Sequence, residues 1–481
     1  MSLFVPVFLP MLGALALVAL RRHRPLRDAA LVAVGVLNLL VLTIILLDRG
    51  GGEVQVLAEI IPGLSLAFHV EPLGLVFAMT SGVLWPLTSI YAISYLRAGN
   101  DPHQTRFHAL FCVAIGSAMG IALAENLFTL FLFYETLTFS TWPLVTHSRT
   151  REAVLAGRIY LGVLLLTSLM FLLFAIVLVG NFGESLSFTP GGVLGDVSPG
   201  LSALLLVLFT FGIGKTAIMP FHRWLPNAMV APAPVSALLH AVAVVKAGVF
   251  TILKVCVYIF GFDLMNDIGL RDALIWIAAL TILLASAIAM RQDDIKARLA
   301  YSTVSQLSYI VLGALMANSY ALVGSAMHIT MHAFGKITLF FCAGAIMVFS
   351  GRKYVSEMDG LGRSMPWTFG AFLVASLSIA GLPPSGGLWS KWYLALGALE
   401  LDQVALLAVL MISSLLNVYY LVSIPVRAFF LPARAGEAGP LENRPAMVIP
   451  LVVTAAVSFL LFFAAGELQH LLAGLTREVA S

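Results

Sequence analysis

Glu135, Lys215, Lys246, Lys336 and Lys391 stand in the middle of apolar segments that otherwise carry almost no charge. A charged side chain at bilayer depth costs about 2.5–3.5 kcal/mol even on insertion scales. Five such residues on five separate segments therefore mark a function, and the chemistry that these types serve at that depth is the passage of protons or ions. Glu135, in FLFYETL, is the one acidic residue near the centre of a span. An isolated carboxylate there is unsustainable, so it is either protonated or paired with a base, most simply Lys215 on a neighbouring helix. Such a pair is either a static salt bridge or one that opens and closes, and only the second moves protons. Lys246 lies mid-span with no carboxylate near it in sequence, whereas Lys254 lies near the end of the same span, where snorkelling to the interface is the expected behaviour. His328, His332 and Lys336 follow at i, i+4 and i+8, which places them on one helical face as a stripe that can pass protons. Histidines at that spacing also suit a metal, but no nearby carboxylate or thiol completes a ligand set. His240 precedes Lys246 by six residues, about 600° of helical rotation, so the two point differently and join only through water.

Two spans that carry these lysines are interrupted. Lys215 is followed by Pro220, Pro226, Pro232 and Pro234, and Lys391 comes shortly after Gly381-Leu-Pro383-Pro384-Ser-Gly386-Gly387. Prolines remove helical donors and glycines loosen the chain. The second stretch is either an ordinary loop between two spans or a helix broken within the membrane. Apolar sequence continues on both sides, and an extra span would upset the charge alternation described below, so a broken helix is expected. Interrupted helices at matching positions are the mark of an inverted-repeat transporter.

The elements that position these residues follow from composition. The chain has 481 residues, 60% hydrophobic and only 11% charged, against about 25% charged in soluble chains. The expected fold is an all-α polytopic membrane protein of fourteen transmembrane helices, since lipid cannot satisfy open backbone groups. Two inverted five-helix repeats are expected, spans 4–8 and 9–13, with spans 7 (residues 200–225) and 12 (residues 366–399) broken. The layout is a single membrane domain: residues 1–100 with three helices and an external hairpin, 105–258 the first repeat, 272–428 the second, and 445–481 the last helix and tail. Arginine and lysine crowd the odd-numbered connections, nineteen in all, against only Arg49 and Arg271 in the even ones. The positive-inside rule then puts the odd connections in the cytoplasm and both termini outside. The first apolar run has no basic residues before it, so it reads as a span and not as a signal peptide. Residues 52–70 alternate around Pro62-Gly63 and predict a short external β-hairpin. Cys112, Cys256 and Cys342 stand singly in apolar runs, which argues against metal, haem or cluster ligation. No nucleotide or flavin motif and no nucleic-acid patch is present, so no cofactor is expected.

The segments FLFYETLTFSTWPLVTHSRT, GIGKTAIMPFHRWLPNAMVAPAPVSALLHAVAVVKAGVF, DDIKARLAYSTVSQLSYI, HAFGKITLFFCAGAI and SIAGLPPSGGLWSKW resemble the antiporter-like membrane subunits shared by respiratory complex I, membrane-bound hydrogenases and Mrp-type Na+/H+ antiporters. The resemblance covers nearly the whole chain and is strongest to the D-type component of Mrp antiporters. It implies a proton-translocating subunit of a multisubunit Na+/H+ antiporter in a bacterial inner membrane, with other membrane subunits, H+, Na+ and the lipid bilayer as partners. It also implies roles: Glu135 and Lys215 as the glutamate–lysine pair, Lys246 as the central lysine, His332 and Lys336 as bridging residues, and Lys391 as the terminal lysine. The same residues fit the proton-pumping arm of a redox complex or an inorganic-carbon uptake complex. The distal complex I subunit carries a long amphipathic helix after its last span, and the end of this chain at Ser481 favours the shorter paralogues.

Overall fold

The structure is a computed structural model that describes residues 2–48, 53–61, 63–195, 197–433 and 442–480, with side chains as far as residue 472 in the last helix. Arg49 and Arg434 of the charge pattern and Pro62 of the expected hairpin turn lie outside the described residues. The helices are α1 (Phe4–Ala19), α2 (Arg24–Leu47), α3 (Pro72–Ala98), α4 (Gln104–Ala122), α5 (Leu127–Val145), α6 (Arg151–Phe182), α7 (Pro199–Gly212), α8 (Ala233–Phe260), α9 (Arg271–Arg291), α10 (Ile295–Met316), α11 (Ser319–Ser350), α12 (Pro366–Ala380), α13 (Gly387–Glu400), α14 (Val404–Phe430), α15 (Pro445–Leu460) and α16 (Ala465–Ala480). Among the described residues, nine are long and apolar enough to cross a membrane, and the bent pair α15 and Ala465–Leu472 makes a tenth; α1, α7 and α12 are shorter apolar helices.

Local sequence sets the ends. Asn126, Asp294 and Asn318 cap α5, α10 and α11, their side chains accepting from Thr129 N, Ala297 N and Ala321 N at 2.8–3.0 Å. Pro72 and Pro366 stand in the first turns of α3 and α12, where a missing N–H costs nothing. Leu12 and Leu15 of α1, Leu40 and Ile44 of α2, Met170 of α6 and Leu415 of α14 are exposed and form part of an apolar outer surface suited to lipid. Inside, α8 is buried along its whole length and packs against α3, α4, α10 and α11. The long α11 also touches α12, α13 and α15, so it ties the two ends of the chain together.

The hairpin is present. β1 (Gln55–Ile61) pairs antiparallel with β2 (Leu64–Phe68), Gln55 opposite Phe68 and Ile61 opposite Leu64. Its inner strand runs on into the turn between α4 and α5: His69 N donates to Leu123 O at 2.8 Å and Glu125 N to Ala67 O at 3.1 Å.

Both expected interruptions are present. In the first, helix α7 stops at Gly212, and Lys215 sits in a 3-10 turn, Gly214–Thr216, followed by a cis Met219–Pro220 peptide. The break expected within residues 200–225 therefore falls just before its lysine. In the second, α12 ends at Gly381 with φ +82°, and α13 begins at Gly387 after a cis Pro383–Pro384 peptide. A side chain at Gly387 would put its Cβ 1.8 Å from Ser378 O, so only glycine lets the second segment pack back on the first.

Candidate functional site

Lys215 is buried against α5. Its Nζ donates to Tyr134 O at 2.8 Å and to Thr138 Oγ1 at 2.7 Å, and stands 3.1 Å from the centre of the Tyr134 ring. Gly248 of α8 makes this placement possible, since a Cβ there would lie 2.5 Å from the Lys215 carbonyl carbon. Glu135 is close enough to act on Lys215 electrostatically. The direct ion pair expected from the sequence is nevertheless not formed: both Glu135 carboxylate oxygens are buried and have no hydrogen-bond partner among the described residues. The reason is angular. Tyr134 and Thr138 face inward on α5, one turn apart, while Glu135 is turned toward the flank that carries exposed Leu132 and Phe139.

Lys246 and His332 are joined directly, Nζ to Nδ1 at 2.8 Å, between α8 and α11. His332 and His328 stack with ring centroids 5.6 Å apart, as their i, i+4 spacing requires. His328 Nδ1 and Ser390 Oγ share a hydrogen bond of 2.8 Å, and the same hydroxyl lies 3.1 Å from Gly387 O. Lys336 turns to α10 and donates to Ser302 Oγ at 2.6 Å and Leu299 O at 3.3 Å. His240 lies in a π-helical turn of α8, Leu238–Val242, with its ring centroid 4.6 Å from that of Phe340. Neither of its nitrogens has a hydrogen-bond partner among the described residues, so the structure does not bond it to Lys246.

Lys391 sits one residue after Ser390 on α13. Its Nζ donates to Ala380 O at 3.1 Å, across the break, and to Ser414 Oγ of α14 at 3.0 Å, with the Tyr309 ring centre 4.9 Å away. The Tyr309 ring in turn stacks on His328 at 5.8 Å. Lys246, His332, His328, Ser390 and Lys391 thus form one buried succession of amine, imidazole and hydroxyl groups. Pro220, Pro383, Pro384 and Gly386 bound the two breaks and hold none of these contacts themselves.

The hydroxyl partners were not foreseen. Ser302, Ser305 and Tyr309 recur at i, i+3 and i+7 on α10, a helical-face signal present in the sequence. Ser286, Ser305 and Ser413 form a buried triangle with oxygen separations of 2.9, 3.1 and 3.3 Å. Lys254 contradicts its expectation. It does not snorkel: it is 1% exposed, ion-paired with Glu71 at the start of α3, and donates to Ala124 O at 2.5 Å. The buried side chain of Glu71 makes inward pairing available and outward extension unnecessary. The three cysteines are free and buried, and no His, Cys, Asp and Glu cluster of metal-binding form occurs among the described residues.

Residues 124–417 match the NADH:quinone oxidoreductase/Mrp antiporter transmembrane family. The chain is 35% identical over 383 residues to NADH-quinone oxidoreductase subunit N of Desulforudis audaxviator, covering 76% of this chain and 75% of that one. It is 30% identical to Hydrogenase-4 component B of Escherichia coli, covering 71% of this chain and 52% of that one. To the Na(+)/H(+) antiporter subunit A1 of Staphylococcus haemolyticus it is also 30% identical, over 68% of this chain and 42% of that one. In fold it is similar to a chain of the Mrp complex from Dietzia sp. (TM-score 0.83, 22% identity, 99% and 96% covered) and to a chain of an archaeal membrane-bound sulfane sulfur reductase (TM-score 0.86, 21% identity, 99% and 97% covered).

Proposed function

The chain belongs to the NADH:quinone oxidoreductase/Mrp antiporter family of multi-pass membrane proteins, and from that premise we propose that it is the proton-translocating subunit of a multisubunit monovalent cation/H+ antiporter. The buried succession from Lys246 through His332 and His328 to Lys391 carries this reading. Each member is ionisable or bonded to a hydroxyl, and the succession runs across the protein between α8 and α13. Protons enter through the Glu135 and Lys215 region of the first half and leave near Lys391 in the second. The chain itself makes and breaks no covalent bond other than those to protons.

In this reading the chain crosses a bacterial inner membrane fourteen times, with both termini outside. The two halves are inverted repeats because five helices per unit reverse direction between copies. The two lysines support that correspondence. Each stands at a break, five spans from the other, and each lies over a tyrosine, Tyr134 of the fifth span or Tyr309 of the tenth.

A second reading has its own observation. Three quarters of a quinone-oxidoreductase subunit is covered at 35% identity, which favours a proton-pumping arm of a redox complex driven by a partner subunit. The experiment is purification of the intact complex. Na+- or K+-dependent proton flux in vesicles without any electron donor establishes the antiporter. Proton flux that appears only with a reductant and quinone establishes the redox arm and overturns the first reading.

A further inference from the structure

The buried pair Glu71 and Lys254 has no place in the succession described above. It lies at the other end of α8, eight residues beyond Lys246 and about 12 Å along the helix. Lys254 Nζ is enclosed by the Glu71 carboxylate, Ala124 O and the face of Phe188, whose ring centre is 4.1 Å away. The β-hairpin closes over the same spot, since its inner strand is bonded to residues 123–125. Glu71 and Glu125 are the acidic side chains that act electrostatically on Lys254. Glu71 is 8% exposed, whereas Glu125 is only partly buried and holds Asn126 Nδ2 at 2.9 Å. Exposure therefore rises in the order Lys254, Glu71, Glu125, from a fully buried amine to a partly buried carboxyl group. Stability alone is a poor reason for the pair. Removing two ions from water costs about as much as their attraction returns, and apolar residues of equal volume do as well or better.

We propose that Lys254, Glu71 and Glu125 form a proton-transfer station at the outer end of the first half, a release route separate from Lys391. In the step, an N–H bond of the Lys254 ammonium breaks and an O–H bond forms on Glu71, leaving a neutral amine and a carboxylic acid. The acid gives its proton to water beside Glu125 and becomes a carboxylate again, and the amine is recharged from the Lys246 side. Water has to bridge the interval between the two lysines. The inference rests on the proton-translocating reading, and on the charge pattern that puts the start of α3 on the outer face.

The test uses the complete complex in vesicles, with proton flux followed against outer pH. The double variant Glu71→Gln/Lys254→Met leaves no unpaired charge, so assembly is expected. Its flux should fall by about a hundredfold, the low end of what one positioned proton-transfer group contributes. Wild-type flux with a wild-type outer-pH profile in the assembled double variant overturns the proposal. If that variant does not assemble, Lys254→Arg keeps the charge and cannot release it: normal flux overturns the proposal and lost flux in an assembled complex supports it. Glu125→Gln, at a partly exposed position, serves if both fail to assemble. A shifted outer-pH profile supports the station and an unchanged one overturns it. Lys246→Met, measured in parallel, separates the two levels: normal flux there removes the underlying reading, whereas loss there with a wild-type double variant removes only the station.

Discussion

The two broken-helix lysines are held differently. Lys215 lies in the turn itself, fully buried, against a carbonyl, a hydroxyl and the close face of Tyr134, with Glu135 within electrostatic reach. Lys391 lies on the helix after its break, 9% exposed, against a carbonyl and a hydroxyl, with Tyr309 farther off. The residue after Tyr134 is Glu135; the residue after Tyr309 is Ile310. One half therefore keeps a carboxylate near its lysine without bonding the two, and among the described residues the other bonds its lysine to a carbonyl and a hydroxyl. A movable countercharge changes the proton affinity of an amine, whereas fixed dipoles hold it constant. On the proposed function, the first half is the one expected to respond and the second the one expected to receive and release.

The largest expected effect tests the responsive half. Glu135→Ala or Lys215→Ala should lower cation-coupled proton flux about a hundredfold, the order that a positioned proton-transfer group supplies, in a complex that still assembles. Lys215→Ala also removes the bonds to Tyr134 O and Thr138 Oγ1, so some loss of stability accompanies it. Normal flux in both assembled variants would reduce the pair to a structural contact and erase the contrast between the halves.

Next in size is Lys391→Arg. Arginine keeps the charge and cannot give up its proton. Flux should fall as far as in Lys391→Ala, about tenfold or more, about 1.4 kcal/mol in barrier terms. Near-normal flux in vesicles would mean that Lys391 supplies fixed positive charge, and release would then need another final member.

What was legible in the sequence follows from rarity. A lysine or glutamate in an apolar run stands out because its cost at depth is high, so Glu135, Lys215, Lys246, Lys336 and Lys391 were visible without any structure. The breaks were visible for the same reason, since Pro383-Pro384 between glycines has no helical reading. The partners were not. Ser302, Ser390, Ser414 and Thr138 are ordinary residues of membrane helices, and their pairing is decided by which helices meet. Lys254 was misread because a lysine near a span end has two solutions, outward extension or inward pairing, and the choice rests on Glu71, far away in the chain. Glu135 and Lys215 were correctly placed on neighbouring elements, but adjacent positions on a helix point about 100° apart, and that rotation separates Glu135 from the lysine its neighbour Tyr134 touches.

The hydroxyls allow a finer comparison of the halves. Thr138→Val removes a bond of 2.7 Å to Lys215, and Ser414→Ala one of 3.0 Å to Lys391. Each should cost about 1 kcal/mol, a several-fold loss of flux. Thr138→Val should be the milder of the two, because Tyr134 O and the close Tyr134 ring still hold the ammonium and Glu135 stays within electrostatic reach, whereas Lys391 keeps Ala380 O and the more distant Tyr309 ring. Equal losses, measured as initial rates in vesicles, would remove the distinction between a charge-supported and a dipole-supported lysine.

The smallest effect lies near the helix ends, where each half also has an acid–base contact. In the first, His147 follows the end of α5 and is 3% exposed; its Nε2 meets Asp101 Oδ2 at 2.7 Å, and Arg106 approaches its Nδ1 at 3.3 Å. In the second, Arg427 meets Asp359 at 2.8 Å and both are partly exposed. An arginine keeps its charge across the accessible range, but the histidine does not. Burial lowers the His147 pKa below its ordinary value, against the opposing pull of Asp101. The geometry agrees with a neutral ring, since Nδ1 accepts from Arg106 while Nε2–H donates to Asp101. The unfolded chain therefore binds the proton more readily than the folded one. Stability from this site is present above the ordinary histidine pKa of about 6.5 and is lost as pH falls through the lowered value. The purified complex should thus lose more thermal stability between neutral and mildly acidic pH than His147→Gln does, by an amount on the order of one hydrogen bond, about 1 kcal/mol. Arg427→Gln should shift the two pH values equally. Parallel curves for His147→Gln and the unsubstituted chain would show that the imidazole is indifferent to protonation in the fold.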